Sequence, residues 1–268
     1  MANIKLLVFD IDGTLVPSKA STMSPSTIKA LQKAHENGCL EIIATGRCSY
    51  FIPPIIKETL KNANYFITIN GALITDQNMS TIIKHPISIE QFNHAYEMAC
   101  KYDVALGFKF EHAVVVYRNY QDYIKVYTNG IEYPDRLIDN TKLHDYHLTH
   151  EMPMDIFIIG DNDKLQALAK EFGQLTWVYA YDRAMEAYQP TVSKAEGIKY
   201  LLERLNLTRE QVMAFGDGEN DIEMLEYAGI GVAMGNAHDE VKKHADFITK
   251  NCEDNGIEYA LKHFKIIE

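Results

Sequence analysis

Long apolar runs, an excess of basic charge and paired cysteines are all missing from this chain of 268 residues. No apolar stretch reaches the roughly 18 residues that a membrane-crossing helix needs. The balance of 26 Lys and Arg against 37 Asp and Glu gives a net charge of −11. Nucleic acids and anionic membranes are bound through clustered Lys and Arg, so neither is an expected partner, and an anionic ligand would need a local positive site. Cys39, Cys48, Cys100 and Cys252 show neither metal-ligand nor disulfide-framework spacing, which suits a reducing compartment. The N-terminus lacks the charged start and small-residue cleavage site of a signal peptide, so the expected location is cytoplasmic. Internal repeats and low-complexity tracts are also absent. What is present is ordinary for a globular protein: 47% hydrophobic and 24% charged residues, in a length that suits one large or two modest domains.

The most informative stretch is Asn3 to Leu15. Ile4, Leu6, Leu7, Val8 and Phe9 read as a strand buried on both faces, the pattern of a parallel sheet covered by helices. It runs into Asp10-Ile11-Asp12-Gly13-Thr14-Leu15. Asp-Gly by itself is a common turn pair. Two carboxylates at the mouth of a hydrophobic strand are costly to bury, however, and the C-terminal edge of a parallel sheet is where such folds place ligands.

Along the chain, a polar stretch from Val16 to Met23 reads as a short mobile loop. Ser24-Pro25 opens a helix that ends near Gly38, and Leu40 to Ala44 is a second strand ending in Thr45-Gly46-Arg47. A helix over about Tyr50 to Asn62, kinked or begun at Pro53-Pro54, precedes a third strand, Tyr65 to Ile69, that ends in Asn70-Gly71. This βαβαβ beginning predicts a doubly wound, Rossmann-like parallel sheet. Hairpins mixed with helices then predict a separate small α+β domain inserted over residues 83–186, with residues 1–82 and 187–268 forming a discontinuous core. In the insert the pattern gives helices over 88–102, 120–129 and 161–172, and strands over 104–110, 113–117, 154–159, 175–179 and 184–188. The alternation resumes with a capping box, Ser193-Lys194-Ala195-Glu196, and a strand at Val212 to Phe215 followed by Gly216-Asp217-Gly218-Glu219-Asn220-Asp221. Short strands at 230–234 and 247–248 and a helix from Gly256 to Phe264 close the chain.

Asp10 and Asp12, Thr45, Lys194, and Asp217 and Asp221 each follow a strand or open a helix, and a parallel α/β sheet gathers such positions on one edge. Carboxylates collected there repel one another unless a cation joins them, and an oxygen-only ligand set suits Mg²⁺. A hydroxyl, an ammonium and backbone N–H groups at helix starts are what a phosphoryl group requires.

These residues resemble the haloacid dehalogenase-like hydrolases and, within them, the Cof-type phosphatases. Asp10-Ile11-Asp12-Gly13-Thr14-Leu15 is similar to the family's first motif, Ala44-Thr45-Gly46-Arg47 to its second and Lys194 to its third. Gly216 to Leu225 is similar to its fourth, with Ala233-Met234-Gly235-Asn236-Ala237 following. The departure is Ala195-Glu196-Gly197 where many relatives have Gly directly after the lysine.

The resemblance implies that Asp10 attacks phosphorus and binds Mg²⁺. Asp12 then protonates the leaving oxygen, deprotonates the hydrolytic water and offers its main-chain carbonyl to the metal. Thr45, Gly46, Arg47, Lys194 and Asn220 form the phosphoryl and substrate contacts, Asn220 either directly or by orienting Lys194. Asp217 and Asp221 complete the metal site, Asp217 directly and Asp221 either directly or through water. To act as an acid, Asp12 must be protonated when substrate binds, which calls for a desolvated environment. The family's phosphonate-cleaving and dehalogenase members lack an Asp at this second acidic position, so phosphatase or phosphomutase chemistry is implied, and the short span from Asp12 to Thr45 leaves no room for the helical cap of the sugar phosphomutases. The insertion between Thr45 and Lys194 corresponds to the α/β cap of Cof-type enzymes. The implied partner is a small phosphate ester, most plausibly a sugar phosphate. The alternatives are a cofactor or nucleotide monophosphate such as pyridoxal phosphate or flavin mononucleotide, and a non-catalytic phosphometabolite sensor. A monomer or weak homodimer is expected.

Several other local patterns have competing readings. Asp217-x-Glu219-x-Asp221 is no EF-hand, because Ile222 stands where Gly is needed and Ala228 where the closing Glu belongs. Gly229-x-Gly231 lacks dinucleotide spacing. His144, His147 and His150 read as an exposed cap segment rather than a metal site, Cys48 as structural and Lys199 as solvated surface. Arg47 has two readings, a phosphate contact or a cap on the sheet edge. Tyr117, Tyr120, Tyr123 and Tyr127 read chiefly as packing.

Overall fold

The computed structural model describes residues 3–17, 22–60 and 63–268. Part of the Val16 to Met23 loop, residues 18–21, and the Asn62 end of the predicted second helix lie outside the described residues. The chain opens with β1 (Leu6–Phe9), α1 (Pro25–Glu36), β2 (Leu40–Ala44), α2 (Pro54–Thr59), β3 (Ala63–Thr68), β4 (Leu73–Asp76) and β5 (Thr81–Lys84). It continues through α3 (Ile89–Tyr102), β6 (Ala105–Lys109), β7 (Val114–Arg118), α4 (Tyr120–Tyr127), β8 (Leu137–Asp139), α5 (Tyr146–Thr149), β9 (Asp155–Ile159), α6 (Asn162–Glu171), β10 (Thr176–Tyr181) and β11 (Ala184–Tyr188). It closes with α7 (Lys194–Leu205), β12 (Val212–Gly216), α8 (Ile222–Tyr227), β13 (Ile230–Ala233), α9 (Asp239–Lys242), β14 (Phe247–Ile248) and α10 (Gly256–His263). No described helix is long and apolar enough to cross a membrane.

Two compact units result. The first is Met1–Arg47 with Phe51–Ile83 and Ser193–Glu268, and the second is Cys48–Tyr50 with Lys84–Val192. The strand order of the first unit's sheet is β14-β13-β12-β1-β2-β3-β4-β5. From β14 to β3 the neighbours are parallel, and β4 joins β3 antiparallel. The chain winds outward from β1 in one direction and from β12 in the other, so the crevice between β1 and β12 is the topological switch point. Both faces are buried. Leu7, Phe9, Ile43 and Phe215 pack with α1 and α10 residues such as Leu31 and Leu261, while Leu6, Val8, Ile42 and Ala214 pack with α7 and α8 residues such as Ile198 and Leu225. This two-sided burial is why β1 is apolar at every position instead of alternating.

Local chemistry sets the helix starts. Ser24 caps α1 by accepting the Thr27 N–H at 3.1 Å, with Pro25 in the first turn. The second helix is shorter than its sequence pattern suggests. Pro53 disfavours helical geometry at Ile52, so α2 starts only at Pro54, after a separate turn of 3₁₀ helix at Ser49–Phe51. At α7 the capping box is half formed. Ser193 accepts the Glu196 N–H at 3.2 Å, but the Glu196 carboxylate pairs with Lys199 at 2.5 Å. Lys199 lies over the Tyr227 ring and is exposed, as expected of helix surface.

The second unit is a six-stranded sheet ordered β10-β11-β9-β6-β7-β8, antiparallel except for the β7–β8 pair. One face carries Leu106, Phe108, Ile156, Ile158 and Met185 against α3 and α6. Gly107, Lys109, Asp155, Phe157 and Glu186 alternate with them and take the other face. Tyr50 belongs here because its hydroxyl donates to the Phe110 carbonyl at 3.2 Å and its own carbonyl accepts from Arg136 at 2.8 Å. Gln189 is held in this unit by donating to the Gln91 side chain at 2.8 Å. Strands β4, β5 and β8 and helix α5 have no counterpart among the elements expected from the sequence, since three or four residues are too short to show a period.

Candidate active site

Register brings the strand ends together. Phe9 lies level with Phe215 on one side and with Ile43 on the other, so Asp10, Thr45 and Asp217 leave the sheet at one edge. Helix α7 contributes its first residue. Lys194 is 1% exposed, and its ammonium donates to Asp10 Oδ1 and to Asp221 Oδ1, each at 2.6 Å. The other Asp221 oxygen accepts the N–H groups of Asp217 and Gly218, both at 2.9 Å. Asp217 accepts from the Thr14 hydroxyl at 3.0 Å and from Asn236 Nδ2 at 3.2 Å. The same Asn236 nitrogen holds the Gly13 carbonyl at 2.9 Å. Gly13 has φ +82°, and a Cβ there would collide with the Asp217 carboxylate, so both the backbone and the space demand glycine.

Among the described residues, Asp10, Asp217 and Asp221 are the one group of three or more His, Cys, Asp or Glu side chains close enough to share a metal ion, with one ligand atom from each lying within 4.8 Å of the others. The electrostatics agree. Burial pushes the Asp10 carboxyl well above its ordinary pKa, with Lys194 opposing and Asp221, Asp217 and Asp12 adding to the rise. Burial, then the neighbouring Asp221, lifts Asp217 to about 7. Burial works against the Lys194 ammonium, but Asp10 and Asp221 outweigh it and hold its pKa above the usual lysine value. Three carboxylates facing one ammonium leave a site short of positive charge, and an oxygen donor set of this kind fits a hard divalent cation.

Thr45 is 1% exposed and its hydroxyl accepts the Arg47 N–H at 3.2 Å, while Gly46 between them is half-buried. Two expectations need correction. Asp12 is not in a desolvated environment: its side chain is 44% exposed and accepts two hydrogen bonds from Arg47, each 2.6 Å. The guanidinium fork matches a carboxylate, which is why Arg47 turns to Asp12 and also to the Phe51 carbonyl. Asn220 does not orient Lys194; its Nδ2 donates to Asn70 Oδ1 at 2.9 Å, and Lys194 is aligned by the two aspartates. The histidine segment is also less exposed than expected. His144 and His147 are half-buried against Tyr117, with ring nitrogens 3.0 Å from its carbonyl and its hydroxyl respectively.

Sequence reasoning passed over Thr14, Asn70 and Asn236. Asn70 carried a signal that could have found it, because Asn70-Gly71 ends the third strand on the same edge as Thr45.

The chain belongs to the haloacid dehalogenase-like hydrolases, matching that family over residues 7–261. It is an enzyme of the family's phosphatase group, as its relatives show. A Streptococcus pyogenes protein named as a bifunctional phosphatase/peptidyl-prolyl cis-trans isomerase is 30% identical over 99% of this chain, which spans 55% of that longer protein. A Bacillus subtilis protein named 5-amino-6-(5-phospho-D-ribitylamino)uracil phosphatase YcsE is 29% identical, with 98% of this chain and 96% of that one covered. Among solved structures, the subclass IIB sugar phosphatase BT4131 is similar with a TM-score of 0.86 and 29% identity, over 98% of this chain and 100% of the other.

Proposed function

We propose that this chain is a Mg²⁺-dependent phosphomonoesterase that hydrolyses a small sugar phosphate through an aspartyl phosphate on Asp10. The observation that carries the reading is the Lys194 ammonium buried between Asp10 and Asp221, with Asp217 within reach of both. Mg²⁺ held by Asp10, Asp217, Asp221 and the Asp12 carbonyl would offset the charge of the phosphoryl group. Lys194 and the Thr45 hydroxyl hold phosphoryl oxygens while an Asp10 oxygen forms a bond to phosphorus and the ester P–O bond breaks. The Asp12 proton goes to the leaving oxygen. Asp12 then takes a proton from the water that attacks phosphorus, and the Asp10 carboxylate leaves. For this Asp12 must exchange its Arg47 contacts for the leaving group. A non-catalytic sensor is disfavoured, since Asp10, Asp12, Thr45, Lys194, Asp217 and Asp221 are all present.

The second unit, taken by itself, carries a buried polar cluster whose chemistry suits a polyhydroxylated molecule. On one sheet face, buried Lys109 pairs with Glu186 and lies 3.4 Å from Asp155. Asp155 Oδ2 is ion-paired with Lys109, whereas Asp155 Oδ1 and the buried Tyr123 hydroxyl have no hydrogen-bond partner among the described residues. Buried polar atoms without partners are costly, and sugar hydroxyls can supply both donors and acceptors. Sugar phosphates and ribityl phosphates share this chemistry, and the names of BT4131 and YcsE fit it.

The test is hydrolysis of p-nitrophenyl phosphate with Mg²⁺ and with EDTA, followed by hexose, pentose, pyridoxal and flavin mononucleotide phosphates. Activity should need the metal and be highest on a sugar phosphate. Because Asp217 titrates at about 7, Mg²⁺ binding should release protons and weaken as pH falls below 7. Calorimetric titrations at pH 6 and pH 8 that give one affinity would contradict this.

A further inference from the structure

We infer that the turn Ile69–Gly71 is the positioning element of the phosphoryl site and that Asn70 is its positioning residue, an inference that rests on the function proposed above. Three consecutive residues have left-handed backbone: Ile69 at φ +51°, Asn70 at +54° and Gly71 at +106°. Asn tolerates this region, but a β-branched Ile at positive φ is a strained outlier, and such strain persists only where surrounding structure over-determines it. All three residues are buried.

The turn touches the loops that carry the other site residues. Its Ile69 N–H donates to the Arg47 carbonyl and its Asn70 N–H to the Thr45 carbonyl, both at 3.1 Å. These two bonds fix the Thr45–Arg47 segment, whose Thr45 hydroxyl accepts the Arg47 N–H. The Asn70 side-chain oxygen accepts from Asn220, the residue directly before Asp221. Gly71 packs so closely on the Ser193 carbonyl that a Cβ would collide with it, and Ser193 caps the helix whose first residue is Lys194. One turn outside the four motifs therefore sets the spacing between the hydroxyl, the ammonium and the acidic loop. A displacement of about 1 Å in such groups can cost about 100-fold in rate.

The experiment compares Asn70→Ala, Asn70→Gly, Asn220→Ala and the Asn70→Ala/Asn220→Ala pair with wild type. It reads kcat and KM on p-nitrophenyl phosphate, inhibition by inorganic phosphate, and thermal melts. Asn70→Gly accepts the positive φ without strain, so it isolates the amide from the backbone. Both Asn70 variants should lose about 10- to 100-fold in kcat/KM and bind inorganic phosphate more weakly. The double variant should be no worse than the worse single one, because the two amides act as one unit. Wild-type-like kinetics in Asn70→Gly, or losses that multiply in the double variant, would overturn the inference. An inactive wild type, or an Asp10→Asn protein that still turns over, would instead count against the proposed function.

Discussion

Asp10→Asn protein should fold normally and hydrolyse phosphate esters about 10⁴- to 10⁶-fold more slowly than wild type, the range seen when one member of a catalytic set is lost. An amide cannot form the aspartyl phosphate, so the loss should appear in kcat on every substrate, including p-nitrophenyl phosphate. Stability should hold or rise. Asp10 sits in a buried set of three carboxylates around one ammonium, and burial together with its acidic neighbours already opposes its charge. Asn keeps the volume and an oxygen that can accept from Lys194, while Asp221 still pairs with the ammonium. Steady-state rates beside a thermal melt decide the matter. Residual hydrolysis within tenfold of wild type would show that another group attacks phosphorus.

Lys194→Ala has the opposite signature, because it damages stability as well as rate. Removing the ammonium leaves Asp10 and Asp221 buried without their cationic partner, and an uncompensated buried charge costs about 3–5 kcal/mol. The cost should depend on pH with a definite sign. Asp10 and Asp217 have folded-state pKa values above their unfolded ones, so the folded state binds more protons and stability falls as pH rises from about 4 to 7. Without Lys194 this fall should be steeper, making the deficit against wild type larger at pH 8 than at pH 5. Added Mg²⁺ should restore part of it. Catalysis should drop about 100-fold or more, as when other preorganised charge stabilisers are removed. Urea melts at the two pH values, with and without Mg²⁺, measure this directly. A deficit indifferent to both pH and metal would mean that Lys194 serves packing alone.

Much of this arrangement is legible in the amino-acid sequence. The all-apolar β1, the Asp10-Ile11-Asp12 ending, Thr45 after β2 and Asp217 after β12 mark strand ends by a change from buried to polar residues, and a parallel sheet places such ends on one edge. Asp10, Asp217, Asp221 and Lys194 are indeed brought together. The partners of Asp12 and Asn220 are not legible there, because a side chain chooses among neighbours that are distant in sequence. Arg47 is 35 positions from Asp12, and Asn70 is 150 from Asn220. The grouping of Tyr50 with the second unit is hidden for the same reason, since its hydroxyl reaches Phe110 across 60 positions.

By itself, then, the sequence determined the winding of the sheet, the family and the residue types gathered at the sheet edge, because periodicity and strand-end chemistry are local properties. The tertiary structure decided which carboxylate faces which cation, how far each group is desolvated, and that a strained turn outside the motifs braces the loops around Lys194. Burial and pairing depend on atoms far apart along the chain, and only the folded register of β1, β2, β3 and β12 sets those distances.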